Sequence, residues 1–252
     1  MKEFIKRCLS KVGYRFVKTD FYKNLININN VLELDFHLVL KRVIDKDQQI
    51  CSFDIGANIG QTAKKIQNYF PNAVIYCFEP VKDTYNQLVE NLTGYSNIST
   101  YNVAMGAHLG EIEIFHRENS EWNSLVGRLN EDAQKTGASS EIIKVDTVDN
   151  FVKKEGITRI DILKSDTEGF EIEVLRGAKS SLQSQLIKTL YIEVGFSKQD
   201  LHHNYFVEVV QELEQYGYSF SGLFEKWYDP NLKIYYANAL FTGNGIVDGK
   251  LI

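Results

Sequence analysis

The sequence predicts an α/β fold on a mostly parallel sheet, and three observations predict it. Short apolar runs alternate with segments of helical period from about residue 49 onward: strands at 50–54, 73–78 and 98–103, helices at 61–70 and 82–91. Alternation of this kind implies right-handed crossovers and parallel strands. The first strand runs into Phe53-Asp54-Ile55-Gly56-Ala57-Asn58-Ile59-Gly60, a carboxylate followed by a turn with two glycines that opens a helix. The second strand, Ala73 to Phe78, ends in Glu79-Pro80, which puts an acid 23 positions after Gly56.

Ahead of the alternating region, residues 1–48 form an N-terminal helical extension. Its first 23 residues hold seven basic side chains (Lys2, Lys6, Arg7, Lys11, Arg15, Lys18, Lys23) against Glu3 and Asp20. Phe4, Ile5, Leu9 and Val12 recur at near-helical spacing. The segment reads either as a cap helix on the domain or as a basic amphipathic helix touching an anionic membrane or a partner. A second helix is expected from Val31 to Ile44.

Residues 49–252 form the main domain. After the third strand the rhythm breaks. Glu111 to His116 alternates polar and apolar residues, as a half-exposed strand does. Glu118 to Ser140 is polar and small and reads as a short helical insert or as a loop long enough to have a job. Ile142 to Val145 reads as a strand and Val148 to Lys153 as the start of a helix. Alternation resumes with a strand at 159–166, a helix from Glu171 to Leu182, a strand from Thr189 to Val194 and a long helix from about Gln199 to Tyr216. Tyr218 to Phe224 and Lys233 to Phe241, joined near Asp229-Pro230-Asn231, predict an antiparallel pair that closes the sheet edge.

Composition narrows the function classes. The 252 residues are 44% hydrophobic and carry a net charge of −5. That content supports a packed core, and the charge argues against a broad basic nucleic-acid face. Cys8, Cys51 and Cys77 show neither zinc nor disulfide spacing, which favours a reducing compartment. No apolar run approaches the roughly 20 residues that span a bilayer, and Lys6 and Arg7 interrupt any signal-peptide core. The expected location is cytoplasmic.

In an open α/β sheet, ligands bind beyond the carboxyl ends of the strands. Those ends carry Asp54 with Gly56, Asn58 and Gly60, then Glu79, then Asn102 with Ala104, then Asp166 with Glu168, and finally Glu193. A carboxylate after the second strand accepts hydrogen bonds from ribose hydroxyls. An acidic rim suits a nucleoside with a positive centre and repels a pyrophosphate. It therefore favours S-adenosylmethionine over a nicotinamide dinucleotide, whose G-x-G-x-x-G turn is also missing.

These residues resemble the FkbM-type S-adenosylmethionine-dependent methyltransferases. The resemblance runs from about Phe53 to Phe241. It comprises Asp54 to Gly60, Phe78-Glu79-Pro80 with Leu88 and Asn91, Asp146-Thr147-Val148-Asp149, and Ile160 to Glu171 followed by Val174-Leu175-Arg176-Gly177-Ala178. It implies a class I methyltransferase (Rossmann-like) fold, a seven-stranded, mostly parallel sheet with an antiparallel final strand and helices on both faces. It implies that Asp54 to Gly60 hold the methionine end of the donor, that Glu79 holds the ribose, that Asn102 and Ala104 border adenine, and that Asp166 and Glu168 face the transferred methyl. Ser165 and Thr167 stand where the family usually has aliphatic residues. Gly195 and Phe196 stand where members often carry a histidine.

The acceptor implied in many members is an oxygen of a sugar or polyketide-like molecule. Methyl transfer from a sulfonium is an in-line displacement that profits from positioning. A base acting on the acceptor hydroxyl adds roughly 10²–10⁴-fold. Asp166, Glu168 and Glu193 are the candidates; Asp166 and Glu168 read equally as helix caps, and Glu193 as the ion-pair partner of Lys164, a basic residue inside an apolar strand. Trp122 and Ser124 in the long loop, and His202 at the start of the helix expected from 199, are candidates for acceptor contact. Trp227 and Tyr228 offer a stacking surface. No metal is expected, because no carboxylate–histidine spacing announces one. Alternative readings are N-methylation, a donor-binding module without transfer and, last, a nicotinamide oxidoreductase. The expected partner is a small-molecule or glycan acceptor, not nucleic acid, and an oligomer is allowed.

Overall fold

The computed structural model describes residues 35–44, 48–115, 139–200, 202–244, 246–247 and 250–251. The basic N-terminal segment and the loop with Trp122 and Ser124 lie outside the described residues. The main sheet has seven strands. Three come from the first half: β1 (Cys51–Ile55), β2 (Val74–Phe78) and β3 (Ile98–Tyr101). Two small strands, β4 (Ala104–Met105) and β5 (Gly110–Phe115), precede β6 (Ser140–Asp146). The main sheet then continues with β7 (Ile160–Ser165), β8 (Ile187–Gly195), β9 (Ser219–Tyr228) and β10 (Ile234–Thr242). Its spatial order is β3-β2-β1-β7-β8-β10-β9, and only β10 and β9 run antiparallel to their neighbours. The seven strands, the parallel majority and the final hairpin are those expected. Strands β4, β6 and β5 pair apart from the main sheet in a three-stranded sheet. A third, two-stranded sheet pairs β11 (Ile246–Val247) with β12 (Lys250–Leu251).

Helices cover both faces. On one side lie α1 (Phe36–Val43), α2 (Gln61–Tyr69) and α3 (Lys82–Asn91). Phe36, Leu40, Ala63, Ile66, Leu88 and Leu92 bury their side chains against Ile75, Cys77, Ile162 and Tyr191 of the sheet. Helix α1 belongs to the segment read as an extension, yet the Phe36 ring stacks on Tyr191 at 3.7 Å. The described part of that segment is therefore built into the core. Asp35 caps α1, its carboxylate accepting the His37 N–H at 2.9 Å.

The opposite face is covered by α4 (Val148–Glu155), α5 (Glu171–Gly177), α6 (Lys179–Gln183) and α7 (Phe206–Glu214). Phe151 of α4 is the hub of an aromatic cluster. Its ring meets Phe78 at 4.8 Å, Tyr101 at 4.9 Å, Phe53 at 5.6 Å and Tyr76 at 5.7 Å, each edge to face. Thr147 caps this helix by accepting the Asn150 N–H, and Gly156 ends it in the left-handed region at φ 67°.

Three expectations are corrected. The helix expected over 171–182 is two, broken at Ala178. Its last residue before the break, Gly177, passes so close to β4's end that a Cβ there would lie 2.0 Å from the Gly106 carbonyl oxygen. The strand expected over 98–103 stops at Tyr101, because Asn102 turns to donate to the carbonyls of Glu79 and Pro80. The helix expected from 199 begins at Phe206. Residues 202–204 are not helical: Asp200 accepts the His202 N–H, and the Asn204 carbonyl accepts the Gly195 N–H.

Phe151→Ala should cost about 3–5 kcal/mol, because the vacated cavity lies among four rings that helix and sheet hold in place. Urea unfolding measures it; a loss below about 1 kcal/mol would show that the cluster does not anchor α4.

Candidate active site

Strand β1 has β2 and β3 on one side and β7 and β8 on the other, so the crossovers diverge between β1 and β7. An open α/β sheet has its crevice at such a switch point. A cavity of about 230 Å³ lies there, lined by Gly56, Asn58, Glu79, Ala104, Asp166, Thr167, Glu168 and Glu193, by Lys164 and Gln61, and by apolar side chains including Val81, Met105 and Ile114.

Beneath the cavity lies an ion pair. Asp54 and Lys164 face each other as cross-strand partners. The Lys164 Nζ lies 3.4 Å from an Asp54 oxygen and 3.3 Å from an Asp166 oxygen, and donates to the Gly56 carbonyl at 2.9 Å. Asp54 is fully buried and Lys164 is 5% exposed. Burial disfavours the ammonium, but Asp166, Asp54 and Glu193 outweigh it and hold the Lys164 pKa above the ordinary lysine range. Glu193 thus acts on Lys164 through space, and the direct partners of the lysine are Asp54 and Asp166, a correction to the pairing expected for Glu193. Asp54 supports the glycine turn from below and does not line the cavity.

The glycine turn is bent by geometry that only glycine tolerates. Gly56 has φ 71°, and a Cβ on it would lie 1.8 Å from the Asp166 carbonyl oxygen. Its N–H and that of Ala57 both donate to the Phe78 carbonyl at 3.0 Å, tying the turn to the end of β2. Gly60 has a different task. At φ 92° it starts α2 beside Leu88 of α3 and Leu92 just beyond that helix, away from the cavity.

Glu79 is held ready. One carboxylate oxygen accepts the Asn58 N–H at 3.0 Å and the other accepts the Val81 N–H at 3.0 Å. Asn58 reaches this position with φ 47°, a left-handed conformation that asparagine tolerates better than most residues. Glu79 is 6% exposed, and burial raises its pKa to about 7 against the pull of the two N–H groups. Asn102, expected at the adenine pocket, instead braces the bend after β2; Ala104 lines the cavity as expected, with Val81, Met105 and Ile114 beside it. No local sequence signal marks these three for a ligand.

The far wall is acidic. Glu168 and Gly169 adopt φ 53° and 95°, turning the chain sharply between β7 and α5. Neither Asp166 nor Glu168 caps that helix: its N-cap is Phe170, without a side-chain cap. The preceding turn is organised by Glu171, which accepts the Thr167 N–H and hydroxyl and the Gly169 N–H. That bond accounts for a hydroxyl at Thr167. Burial, then the charges of Asp166, Glu168 and Glu171, raise the Glu193 pKa well above the carboxylate range.

His202 does not line the cavity; the neighbouring His203 reaches this wall instead. Its Nδ1 lies 2.7 Å from Asp200 and its Nε2 3.6 Å from Glu193. Gly195 makes room for the turn, since a Cβ there would meet Asp200 at 2.9 Å and His203 at 3.0 Å. A histidine thus stands at the end of β8 despite the Gly195-Phe196 sequence there. The spacing Asp200-x-x-His203 was the signal that could have found it.

The sequence profile of the Methyltransferase FkbM domain matches residues 54–220. The chain belongs to the FkbM methyltransferase family. Membership makes S-adenosylmethionine the methyl donor. Among relatives of this FkbM protein, 2-O-methyltransferase NoeI of Sinorhizobium fredii is 26% identical, over 67% of this chain and 72% of that protein. Hexuronic acid methyltransferase AglP of Haloferax volcanii is 25% identical, over 59% and 58%. Among solved structures, M. capricolum TrmK in complex with S-adenosyl-homocysteine superposes with a TM-score of 0.48 at 14% identity, over 84% of this chain and 70% of that one.

Lys164→Met should destabilise the protein by about 3–5 kcal/mol at neutral pH, because it strands Asp54 as a buried charge. The penalty should shrink at acid pH, because burial raises the Asp54 pKa and favours its protonated form, and in the double variant with Asp54→Asn. Denaturant unfolding at the two pH values reads both effects; a pH-independent loss below 1 kcal/mol would contradict the pairing.

Proposed function

We propose that this protein transfers a methyl group from S-adenosylmethionine to a hydroxyl of a sugar, in a free carbohydrate or a glycan-linked intermediate. The observation that carries the reading is the pairing of two walls across one cavity. Glu79, with both oxygens fixed by backbone N–H groups, faces a rim of Asp166, Glu168 and Glu193. The first wall suits ribose hydroxyls, which donate to a carboxylate. The second suits a sulfonium and an acceptor hydroxyl that must give up a proton. The apolar side chains of Val81, Met105 and Ile114 offer a slot for adenine. Two relatives bearing the names of a 2-O-methyltransferase and a hexuronic acid methyltransferase support a carbohydrate acceptor.

The aromatic edge supports the same reading. Trp227, 61% exposed, stacks on Tyr236 at 5.8 Å, and Tyr236 stacks on His203 at 4.5 Å. This ladder leads from the open face of the final hairpin to the acidic rim, and a sugar ring packs well on an exposed indole. Among the described residues, no helix is long and apolar enough to cross a membrane. Cys51 and Cys77 are free thiols, in keeping with a cytoplasmic site of action. The net charge of −5 favours a small or glycan acceptor over nucleic acid.

The test is mass spectrometry of carbohydrate acceptors incubated with the protein and S-adenosylmethionine. Gain of a single methyl on a sugar hydroxyl is expected; donor binding without any methylated sugar would reduce the protein to a binding module. Asp166→Asn should lower turnover while sparing donor affinity, and an unchanged rate would remove Asp166 from the reaction. Donor affinity should itself follow the ionisation of Glu79. Its carboxyl titrates near pH 7 in the ligand-free protein, and only the carboxylate accepts two ribose hydroxyls on both oxygens. Calorimetry should therefore find tighter binding at pH 8 than at pH 6, a dependence lost in Glu79→Gln. Glu79→Ala should weaken binding by about 1–3 kcal/mol.

A further inference from the structure

We propose that Glu168, Glu193 and His203 form a binding site for one divalent cation, at the acceptor side of the cavity. The three residues are far apart in sequence, and the fold brings one ligand atom from each within 4.8 Å of the others. Zinc- or manganese-sized ions hold oxygen and nitrogen ligands at about 2.0–2.2 Å, which puts neighbouring ligand atoms about 3–4.4 Å apart. The measured separation of 3.6 Å between His203 Nε2 and Glu193 Oε2 falls in that range. It is also longer than a hydrogen bond.

Two independent features point to a ligand. Glu193 Oε2 is buried and has no hydrogen-bond partner, although the residue is only 7% exposed. A buried carboxylate oxygen left unmatched is costly, and this one faces the unused nitrogen of a histidine. That histidine, in turn, is set as a ligand is set. Asp200, whose side chain is fully buried, takes the Nδ1 side of the ring at 2.7 Å, which leaves Nε2 free to coordinate. A carboxylate behind a ligating imidazole fixes both tautomer and orientation. Tyr236 stacks on the ring at 4.5 Å and restrains its plane.

Two carboxylates and one imidazole suit a cation of intermediate hardness, manganese or zinc. The neighbouring acidic groups, Asp166 and Glu171, add negative charge that a dication offsets. Glu168 and Glu193 line the cavity, so the open coordination positions face the bound acceptor. There the cation would orient an acceptor hydroxyl and ease release of its proton. This role rests on the methyl-transfer reading, whereas occupancy of the site does not.

The test is titration of the purified, chelator-treated protein with Mn²⁺, followed by electron paramagnetic resonance, with Zn²⁺ measured by competition. One site per chain with micromolar affinity is expected. His203→Ala and Asp200→Asn should each weaken Mn²⁺ binding at least tenfold, with the circular dichroism spectrum and S-adenosylmethionine affinity unchanged as controls on folding. The site is overturned if the folded wild-type chain binds neither ion below millimolar concentration, or if both variants bind as the wild type does. Either result with donor binding intact removes the cation and leaves the methyl-transfer reading standing. Failure of donor binding would strike that reading instead.

Discussion

The buried ammonium of Lys164 is the constraint on which the site depends. It occupies the point where the crossovers of the sheet diverge, and it ties together three segments there: Asp54 of β1, the Gly56 carbonyl of the glycine turn and Asp166 just after β7. A lone lysine in a β-strand core would lose its proton or unfold the strand. Surrounded by carboxylates it keeps its charge, and in doing so it holds an acidic rim together that would otherwise repel itself. A carboxylate such as Asp166 on this rim suits the sulfonium of the proposed methyl donor.

The second constraint is steric. Gly56, Gly177 and Gly195 each sit where a side chain would strike a neighbouring carbonyl or carboxylate. Gly56 allows the turn to touch β7. Gly177 allows α5 to close on the small sheet that supplies Ala104, Met105 and Ile114. Gly195 admits the turn that carries Asp200 and His203. The walls of the cavity are therefore placed by close backbone approaches, and the side chains that do chemistry project from segments whose paths have little freedom.

Much of this was legible in the chain. The parallel core, the closing hairpin and the limits of α3 followed from periodicity and from the turn at Asp229 to Asn231. Glu79 was legible because a strand-end acid after a glycine turn has a specific use. What was not legible depended on contacts between distant segments. Asn102 reads as a strand end beside a ligand, and only the fold shows its amide spent on the carbonyls of Glu79 and Pro80. Asp54 and Gly60 belong to the right motif but serve the structure beneath and behind the cavity. His202 was preferred to the neighbouring His203 as the candidate, because helical period extended the helix too far toward the N-terminus; the hydrogen bonds of Asp200 win over that period and turn the chain. Glu168, Glu193 and His203 have no ligand spacing along the chain, since the strand β8 and two turns bring them together.

The most direct measurement is a crystal structure of the protein with S-adenosylhomocysteine. The ribose hydroxyls should lie within hydrogen-bonding distance of both Glu79 oxygens, with adenine between Val81 and Met105 and the sulfur directed at Asp166 and Glu193. A nucleoside seated away from Glu79, or a sulfur turned from the acidic rim, would contradict the account.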